Sequence, residues 1–216
     1  MRVVAIDGPA GAGKSTIARA LARRLGVRYL DTGAMYRAVA FAALRDQIDL
    51  NNEAGVEALA STLNVQLDET IVSVDGVDAT AAIRSPEVNG IVSRIAAMSS
   101  VRALLRGQQR DWVSRNGGGV VEGRDIGTVV FPDATLKLFL TARPEVRAQR
   151  RVAESGGNVD EIARSIAERD RLDSTRSDSP LAEANGSVLV DTSDLSIEEV
   201  VERIHAMVIA SEATNV

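Results

Sequence analysis

One short stretch near the start of this 216-residue chain constrains its fold more than any other. An apolar run at residues 3–6 ends at Asp7, and the glycine-rich segment GPAGAGKST follows at residues 8–16. This segment fits the phosphate-loop pattern G-x4-G-K-[ST], and an apolar helical pattern begins directly after it. A strand, a glycine-rich turn and a helix in that order aim backbone N–H groups at phosphate oxygens. The stretch therefore predicts a nucleoside triphosphate site within a βα unit.

The side chains of the loop add charge and a metal contact to this prediction. Lys14 is expected to reach the β- and γ-phosphates, and a hydroxyl is expected to touch Mg2+. Both Ser15 and Thr16 follow the lysine, so the sequence leaves open which hydroxyl lies nearer the metal. Lys14 and Lys137 are the only lysines, and arginine supplies the remaining positive charge. The candidate ATP contacts of the loop are Gly8, Pro9, Ala10, Gly11, Ala12, Gly13, Lys14, Ser15 and Thr16.

Composition narrows the class of protein. The chain is 45% hydrophobic and 25% charged, which is ordinary for a globular protein. It contains no cysteine, so it has neither a disulfide nor a thiolate metal site, and this is compatible with a reducing cytosol. A net charge of −5 argues against a nucleic-acid partner, and the sequence shows no apolar run typical of a membrane span. With a strand predicted at the N-terminus and no signal peptide expected, the chain is predicted to be cytoplasmic.

The patterns that follow the loop predict an α/β fold. A first helix should end near Gly26, a short strand is expected at 27–30, and a second helix at 34–46. Strand, phosphate loop, helix, strand and helix form the beginning of a parallel sheet covered on both faces. Three later strands are expected, at 120–125, 135–140 and 187–190. In such sheets, ligands bind at the carboxyl ends of the strands.

A different periodicity interrupts this alternation. Short β-like runs flank Asp75-Gly76, which is a favourable hairpin turn. They predict a small antiparallel sheet near 63–80, inside an inserted lobe. Pro86 and Ser99 then begin two helical stretches.

Arginines collect where the predicted strands and helices end. Phosphoryl transfer needs in-line positioning and positive charge on the transferring group, and a guanidinium makes bidentate contacts to phosphate. Two groups, around Arg147 and Arg169, follow helical spacing, which gathers charge on one face. Such clusters are unfavourable unless an anion binds them, although Asp170 and Asp173 partly relieve the second one. The candidates are Arg37, Arg102, Arg124, Arg147, Arg150, Arg151, Arg169, Arg171 and Arg176.

Five segments, in this order and spacing, resemble the bacterial cytidylate kinases, which transfer the γ-phosphate of ATP to CMP or dCMP. They are GPAGAGKST at 8–16, DTGAMYR at 31–37, IRSPEV at 83–88, EGRDIGTVVFPDA at 122–134 and ERDRLDSTR at 168–176. The resemblance covers essentially the whole chain. It implies a transferase of pyrimidine nucleotide metabolism with ATP as donor, Mg2+ as cofactor and a monomeric state.

The resemblance also implies an architecture. The fold would be a three-layer phosphate-loop kinase with a parallel core sheet, an inserted monophosphate-binding lobe with a small antiparallel sheet, and a short helical lid. The chain would form a single kinase unit. Its implied parts are a core at 1–30, 114–143 and 179–216, a lobe at 31–113 with its β-insert at 63–80, and a lid at 144–178.

Residues that match the motifs take on implied roles. The acceptor phosphate would contact Thr32, Arg37 and Arg124. The cytosine would be read by Ser93, Arg102 and Asp125, because an aspartate accepts a hydrogen bond from the exocyclic amine, which uracil lacks. The ribose would lie beside Arg169 and Asp173, with Arg176 nearby. The triphosphate would be covered by Arg147, Arg150 and Arg151. The implied catalytic set is Lys14, Arg124, Arg169 and Arg176.

Alternatives to this interpretation remain at the level of sequence. The acceptor could be another small molecule, such as UMP, AMP or shikimate. A phosphate-loop switch NTPase is disfavoured, because the base-reading N-K-x-D motif of guanine-specific proteins is missing from the sequence. A nucleic-acid module using the arginines conflicts with the acidic balance. Leu172 stands where many family members carry a charged residue, which leaves one lid contact open.

Overall fold

The computed structural model describes residues 1–68 and 70–214. Its strands are β1 (Arg2–Asp7), β2 (Tyr29–Asp31), β3 (Val65–Leu67), β4 (Val72–Val74), β5 (Val77–Asp78), β6 (Gly118–Glu122), β7 (Leu136–Thr141) and β8 (Val188–Asp191). Its helices are α1 (Lys14–Leu25), α2 (Thr32–Arg45), α3 (Glu53–Thr62), α4 (Pro86–Ala97), α5 (Ser99–Arg115), α6 (Pro144–Ser155), α7 (Val159–Thr175) and α8 (Ile197–Thr214).

Five strands form the core sheet in the order β2-β6-β1-β7-β8. The central strand β1 pairs in parallel with β6 and β7, and β7 pairs in parallel with β8. Ile6 lies opposite Glu122 of β6 and Leu138 of β7, so these strands end at one edge of the sheet. The predicted parallel α/β core, with a separate small antiparallel sheet, is confirmed.

The chain divides into two compact units, one of residues 1–30 with 113–216 and one of residues 31–112. In the first unit, the apolar stripe of α1 packs on the sheet and against α8. Ile6, Leu21 and Ile204 are fully buried in this core, and burying a side chain of that size contributes about 1.5–3 kcal/mol. The phosphate loop therefore follows a strand whose last five residues are buried in the core.

The second unit is organised around α2 and the antiparallel sheet β3-β4-β5. Ala34, Ala38 and Ala42 recur every fourth residue on α2 and form one face of small side chains. Val72 and Val74 of β4 pack on this face, and they are buried there. The small alanine side chains let the sheet approach the helix closely. The hairpin predicted at Asp75-Gly76 connects β4 to β5.

Some predicted boundaries are wrong for local reasons. β2 begins at Tyr29 and not at residue 27, because the Val27 N–H closes the end of α1 by donating to the carbonyl of Ala22 at 3.0 Å. β6 ends at Glu122 and not at residue 125, since the chain turns there into a single π-helical turn, Ile126–Val130. That turn directly follows Arg124 and Asp125.

None of the helices within residues 1–68 and 70–214 combines the length and the apolar character that crossing a membrane requires.

Candidate active site

The phosphate loop connects β1 to α1 at the carboxyl edge of the core sheet. Gly8 lies so close to β7 that a Cβ there would come within 2.0 Å of the carbonyl oxygen of Leu140. Gly13 precedes α1 in the left-handed region, with φ of 86°, and no side chain caps the helix. The first amides of α1 are therefore open to an anion. This backbone, which leaves no room for a side chain at Gly8 and bends at Gly13, fits a polyphosphate.

Lys14 begins α1, and only 7% of its surface is exposed. Its Nζ donates a hydrogen bond to the carbonyl oxygen of Pro9 at 2.7 Å. Burial and the charge of Arg124 lower the pKa of Lys14 to about 7, although Glu122 opposes the shift. A phosphate beside Nζ would favour the charged form. An anion in the loop would thus raise the charged fraction of Lys14.

Four of the predicted site residues form one buried network in the first unit. Arg124 Nε donates to Asp173 Oδ2 at 2.9 Å. Arg176 places one guanidinium nitrogen 3.7 Å from Asp125 Oδ1 and another 3.8 Å from Asp173 Oδ1. Burial raises the pKa of Asp173, but the charges of Arg124 and Arg169 outweigh burial, and the pKa lies below its usual value. The network joins the segment after β6 to the end of α7.

Arg147 of α6 connects α6 and α7 to the phosphate loop. Its guanidinium pairs with the carboxylate of Asp170 on α7 and donates to the carbonyl oxygen of Ala10 at 3.0 Å. Asp170 Oδ1 in turn accepts the N–H of Ala10 at 3.0 Å. These contacts hold Arg147 beside the backbone of Ala10 in the phosphate loop.

The two other arginines of α6 have different partners. Arg150 donates to the carbonyl and hydroxyl oxygens of Thr192, at 2.6 and 2.9 Å, beside Gly13 of the loop. Arg151 forms an ion pair with Glu154 of its own helix at 3.1 Å. The helical spacing of these arginines suggested one anion-binding face, whereas the structure gives each a separate protein partner.

In the second unit, Arg37 of α2 is buried against α4. It donates to the carbonyl oxygen of Ile83 at 3.2 Å and to the side-chain oxygen of Asn89. Ser93 follows Asn89 by one helical turn, so it lies on the same face of α4. Thr32 is the first residue of α2 and is buried. Arg37 and Ser93, which are far apart in sequence, thus belong to one pair of packed helices.

Arg102 has only 1% of its surface exposed and is among the largest fully buried side chains of the described residues. It donates to the carbonyl oxygen of Ala96 at 3.0 Å, and its guanidinium lies 5.6 Å from the ring centroid of Tyr36. A planar guanidinium over an aromatic ring is held in one orientation. The contact between the buried Arg102 and Tyr36 therefore holds the start of α5 against α2.

The described residues fit Mg2+ only if substrate phosphates supply part of its coordination. Within residues 1–68 and 70–214, no group of three or more His, Cys, Asp or Glu side chains could hold a metal ion. Mg2+ in kinase sites is held by one or two protein oxygens together with substrate phosphates. Ser15 is half-buried at the loop, whereas Thr16 is exposed. Either hydroxyl is compatible with such a ligand set.

Three buried or half-buried acidic residues near the loop were missing from the sequence prediction. Glu122 ends β6, accepts a hydrogen bond from the Tyr29 hydroxyl and acts on the charge of Lys14. Asp170 contacts Ala10, and Asp7 ends β1 directly before the loop. A carboxylate at the end of an apolar strand was the available signal for Asp7 and Glu122. For Asp170, the helical spacing indicated only that it partly relieves the arginine cluster around Arg169, and it did not indicate a contact with the loop.

Comparisons with known proteins give a consistent result. The family model described as Cytidylate kinase matches residues 4–210. The chain is 47% identical over 220 residues to a cytidylate kinase of Solibacter usitatus, covering 99% of this chain and 94% of the relative. It is 49% identical over 217 residues to one of Pelotomaculum thermopropionicum, covering 96% of each. An uncharacterized protein from Eubacterium ventriosum shares the fold, with a TM-score of 0.58 at 10% identity over 97% of this chain and 98% of that one.

Proposed function

The chain belongs to the cytidylate kinase family, and from that premise we propose that it transfers the γ-phosphate of ATP to CMP or dCMP. The products are ADP and CDP or dCDP. The observation that carries the proposal to the chemistry is that the positive charges of Arg124 and Arg169, together with burial, lower the pKa of Lys14, although the carboxylate of Glu122 opposes them. A phosphate in the loop would offset this repulsion, so the site favours a highly charged anion.

The residues divide the work of transfer by position. The loop amides and Lys14 hold the β- and γ-phosphates of ATP, while Arg147 and Arg150 fix the lid helices beside the loop. Arg124, Arg169 and Arg176 offer positive charge where the transferred group passes from donor to acceptor. Preorganised charge of this kind is the main contribution a protein makes to phosphoryl transfer.

No general base is needed for this reaction. The acceptor is a phosphate oxygen that is already ionised at neutral pH, so no proton has to be removed before attack. Mg2+, held by Ser15 or Thr16 with phosphate oxygens, would neutralise charge on the β- and γ-phosphates. Burial of Arg124 and Arg176 keeps water away from their guanidinium groups, which strengthens their interaction with phosphate.

We assign acceptor recognition to the residues that match the motifs of the family. Thr32, Arg37 and Arg124 would hold the phosphate of CMP, and Arg169 with Asp173 would hold the ribose. Ser93, Arg102 and Asp125 would read the cytosine. The lobe at 31–113 and the lid at 144–178 would then move with substrate, so that ATP is shielded from water until an acceptor is bound. We expect the protein to work as a cytoplasmic monomer.

The test is ADP production from ATP with CMP, dCMP, UMP and AMP supplied separately. We expect CMP and dCMP to be preferred by at least about 10-fold, because a buried hydrogen-bonding site rejects an analogue with the wrong donors. Equal rates with UMP or AMP would replace the assignment by another monophosphate acceptor. Hydrolysis of ATP without any acceptor dependence would overturn the kinase assignment.

The base-reading role of Asp125 is tested in the same assay. Asp125→Ala should lower the ratio of CMP to UMP turnover by about 10-fold or more, because the acceptor for the exocyclic amine is lost. Asp133→Ala removes an exposed carboxylate of the same segment and is the matched control. An unchanged ratio in Asp125→Ala would reject the assigned role.

A further inference from the structure

Asp7 is a buried carboxylate at the junction of β1 and the phosphate loop, with 3% of its surface exposed. Its two oxygens accept two consecutive backbone N–H groups, that of Ile126 at 2.8 Å and that of Gly127 at 2.7 Å. These residues lie about 120 positions further along the chain. The residue before the loop is thus bonded directly to the segment that follows Arg124 and Asp125.

The bonded segment is a single π-helical turn, Ile126–Val130. The carbonyl of Asp125, directly before the turn, accepts the N–H groups of Val129 and Val130, at 2.9 and 3.2 Å, and these bonds close the turn. The first amides of a helical turn have no carbonyl partner within the turn, and here Asp7 supplies both acceptors from another strand. π turns are rare and are frequent at functional sites.

Burying the charged carboxylate of Asp7 costs free energy of folding. Burial raises the pKa of Asp7 to about 6, and the charge of Asp125 adds to the rise, while the two amides and Lys14 lower it. The ionised form accepts both N–H groups equally, one at each oxygen, whereas a protonated carboxyl turns one oxygen into an O–H donor and a poorer acceptor. A neutral side chain would therefore avoid the desolvation of a charge but would weaken or lose one of the two hydrogen bonds.

We propose that Asp7 is a positioning residue, which holds the turn after β6 so that Arg124 and Asp125 keep the orientation needed for the acceptor nucleotide. This inference rests on the proposed function, because the roles of Arg124 and Asp125 come from it. Asp7 contacts neither side chain through a hydrogen bond of its own. It fixes the backbone immediately after them, and the buried network with Asp173 and Arg176 completes their orientation.

The deciding experiment compares steady-state kinetics of the full-length wild type and Asp7→Asn, with ATP and CMP varied in turn. Asparagine keeps the shape but turns one acceptor into an amide donor. The lost charge-assisted hydrogen bond predicts a roughly 10- to 100-fold fall in kcat/KM for CMP. The KM for ATP should change less than about threefold, and the ratio of CMP to UMP turnover should fall. If Asp7 acted only in folding, Asp7→Asn would lower the fraction of active protein, but it would not change the CMP constants more than the ATP constants.

Asp191→Asn is the matched control. Asp191 also ends a strand of the core sheet, and its Oδ1 accepts a backbone N–H, that of Ser193, at 2.8 Å. We expect its kinetic constants to stay within about twofold of wild type, because Asp191 is exposed and this hydrogen bond lies within its own turn. Thermal melting of both variants separates stability from positioning, and Asp7→Glu, which keeps the charge, should lie between wild type and Asp7→Asn.

The outcomes separate the two assignments. A wild-type protein that does not phosphorylate CMP would overturn the proposed function, whatever the variants do. An active wild type with unchanged CMP constants in Asp7→Asn would overturn the positioning role alone. An equal loss in the ATP and CMP constants, together with a lowered melting temperature, would also overturn it and make Asp7 a structural residue.

Discussion

The phosphate loop and the arginine–carboxylate network belong to the same compact unit, but they are built by different means. The loop spans nine consecutive residues, and its backbone amides and one lysine are available to bind an anion. The network gathers Arg124, Asp125, Asp173 and Arg176 from two separate segments and offers side-chain charge. Local chain geometry suffices for the first, whereas the second exists only after the segment following β6 has met α7.

This difference has an energetic side. A backbone amide carries no net charge, so within the empty phosphate loop the electrostatic cost falls on Lys14, whose pKa is lowered. Buried guanidinium groups must instead be balanced by carboxylates, and Asp173 does this for Arg124 and Arg176. Removing one partner of a buried ion pair leaves an uncompensated charge and is far more damaging than losing an exposed pair. Substitutions in the two regions should therefore fail in different ways.

The largest expected effect is on the loop. Lys14→Ala should reduce phosphoryl transfer by about 1000-fold, because it removes the cation nearest the donor phosphates, while the melting temperature stays near that of wild type. Lys137→Ala is the matched control, since the only other lysine bonds to the carbonyls of Pro132 and Asn185. Initial rates with saturating CMP check this, and a Lys14→Ala enzyme with more than a tenth of wild-type activity would contradict it.

The network should respond in both activity and stability. Arg124→Ala should lower kcat/KM for CMP by about 100-fold, and it should also lower the melting temperature because Asp173 stays buried with less compensation. Arg143→Ala removes an exposed arginine with a bidentate bond to Asp194, and we expect little change from it. Kinetics with calorimetry checks both quantities. Full activity or an unchanged melting temperature in Arg124→Ala would break the contrast between the two regions.

The smallest expected effect is the uptake of a proton when ATP binds. At pH 8 free Lys14, with a pKa near 7, is mostly neutral, and a bound triphosphate raises that pKa, so ATP binding should take up close to one proton. Titration calorimetry in two buffers of different ionisation enthalpy measures the uptake. Lys14→Arg keeps a permanent charge and should lose most of it. Equal uptake in wild type and Lys14→Arg would show that Lys14 does not titrate on binding.

Prediction from sequence worked best where the signal was local. The helix starts at Pro86 and Ser99, the end of α1 at Gly26 and the hairpin at Asp75-Gly76 are confirmed. It failed where a distant residue decided the backbone. The end of β6 is set by a π turn that Asp7 holds from another strand, and no pattern within residues 120–125 contains that information.

The sequence by itself determined the phosphate loop, the parallel α/β core and the family, because each rests on short-range spacing or on motifs that can be read in order. Only the tertiary structure decided which charges meet. It paired Arg124 with Asp173, and it attached Arg147 to Asp170 and Arg150 to Thr192. The physical reason is that spacing along a helix fixes which face a side chain occupies, whereas its partner depends on the element packed against that face.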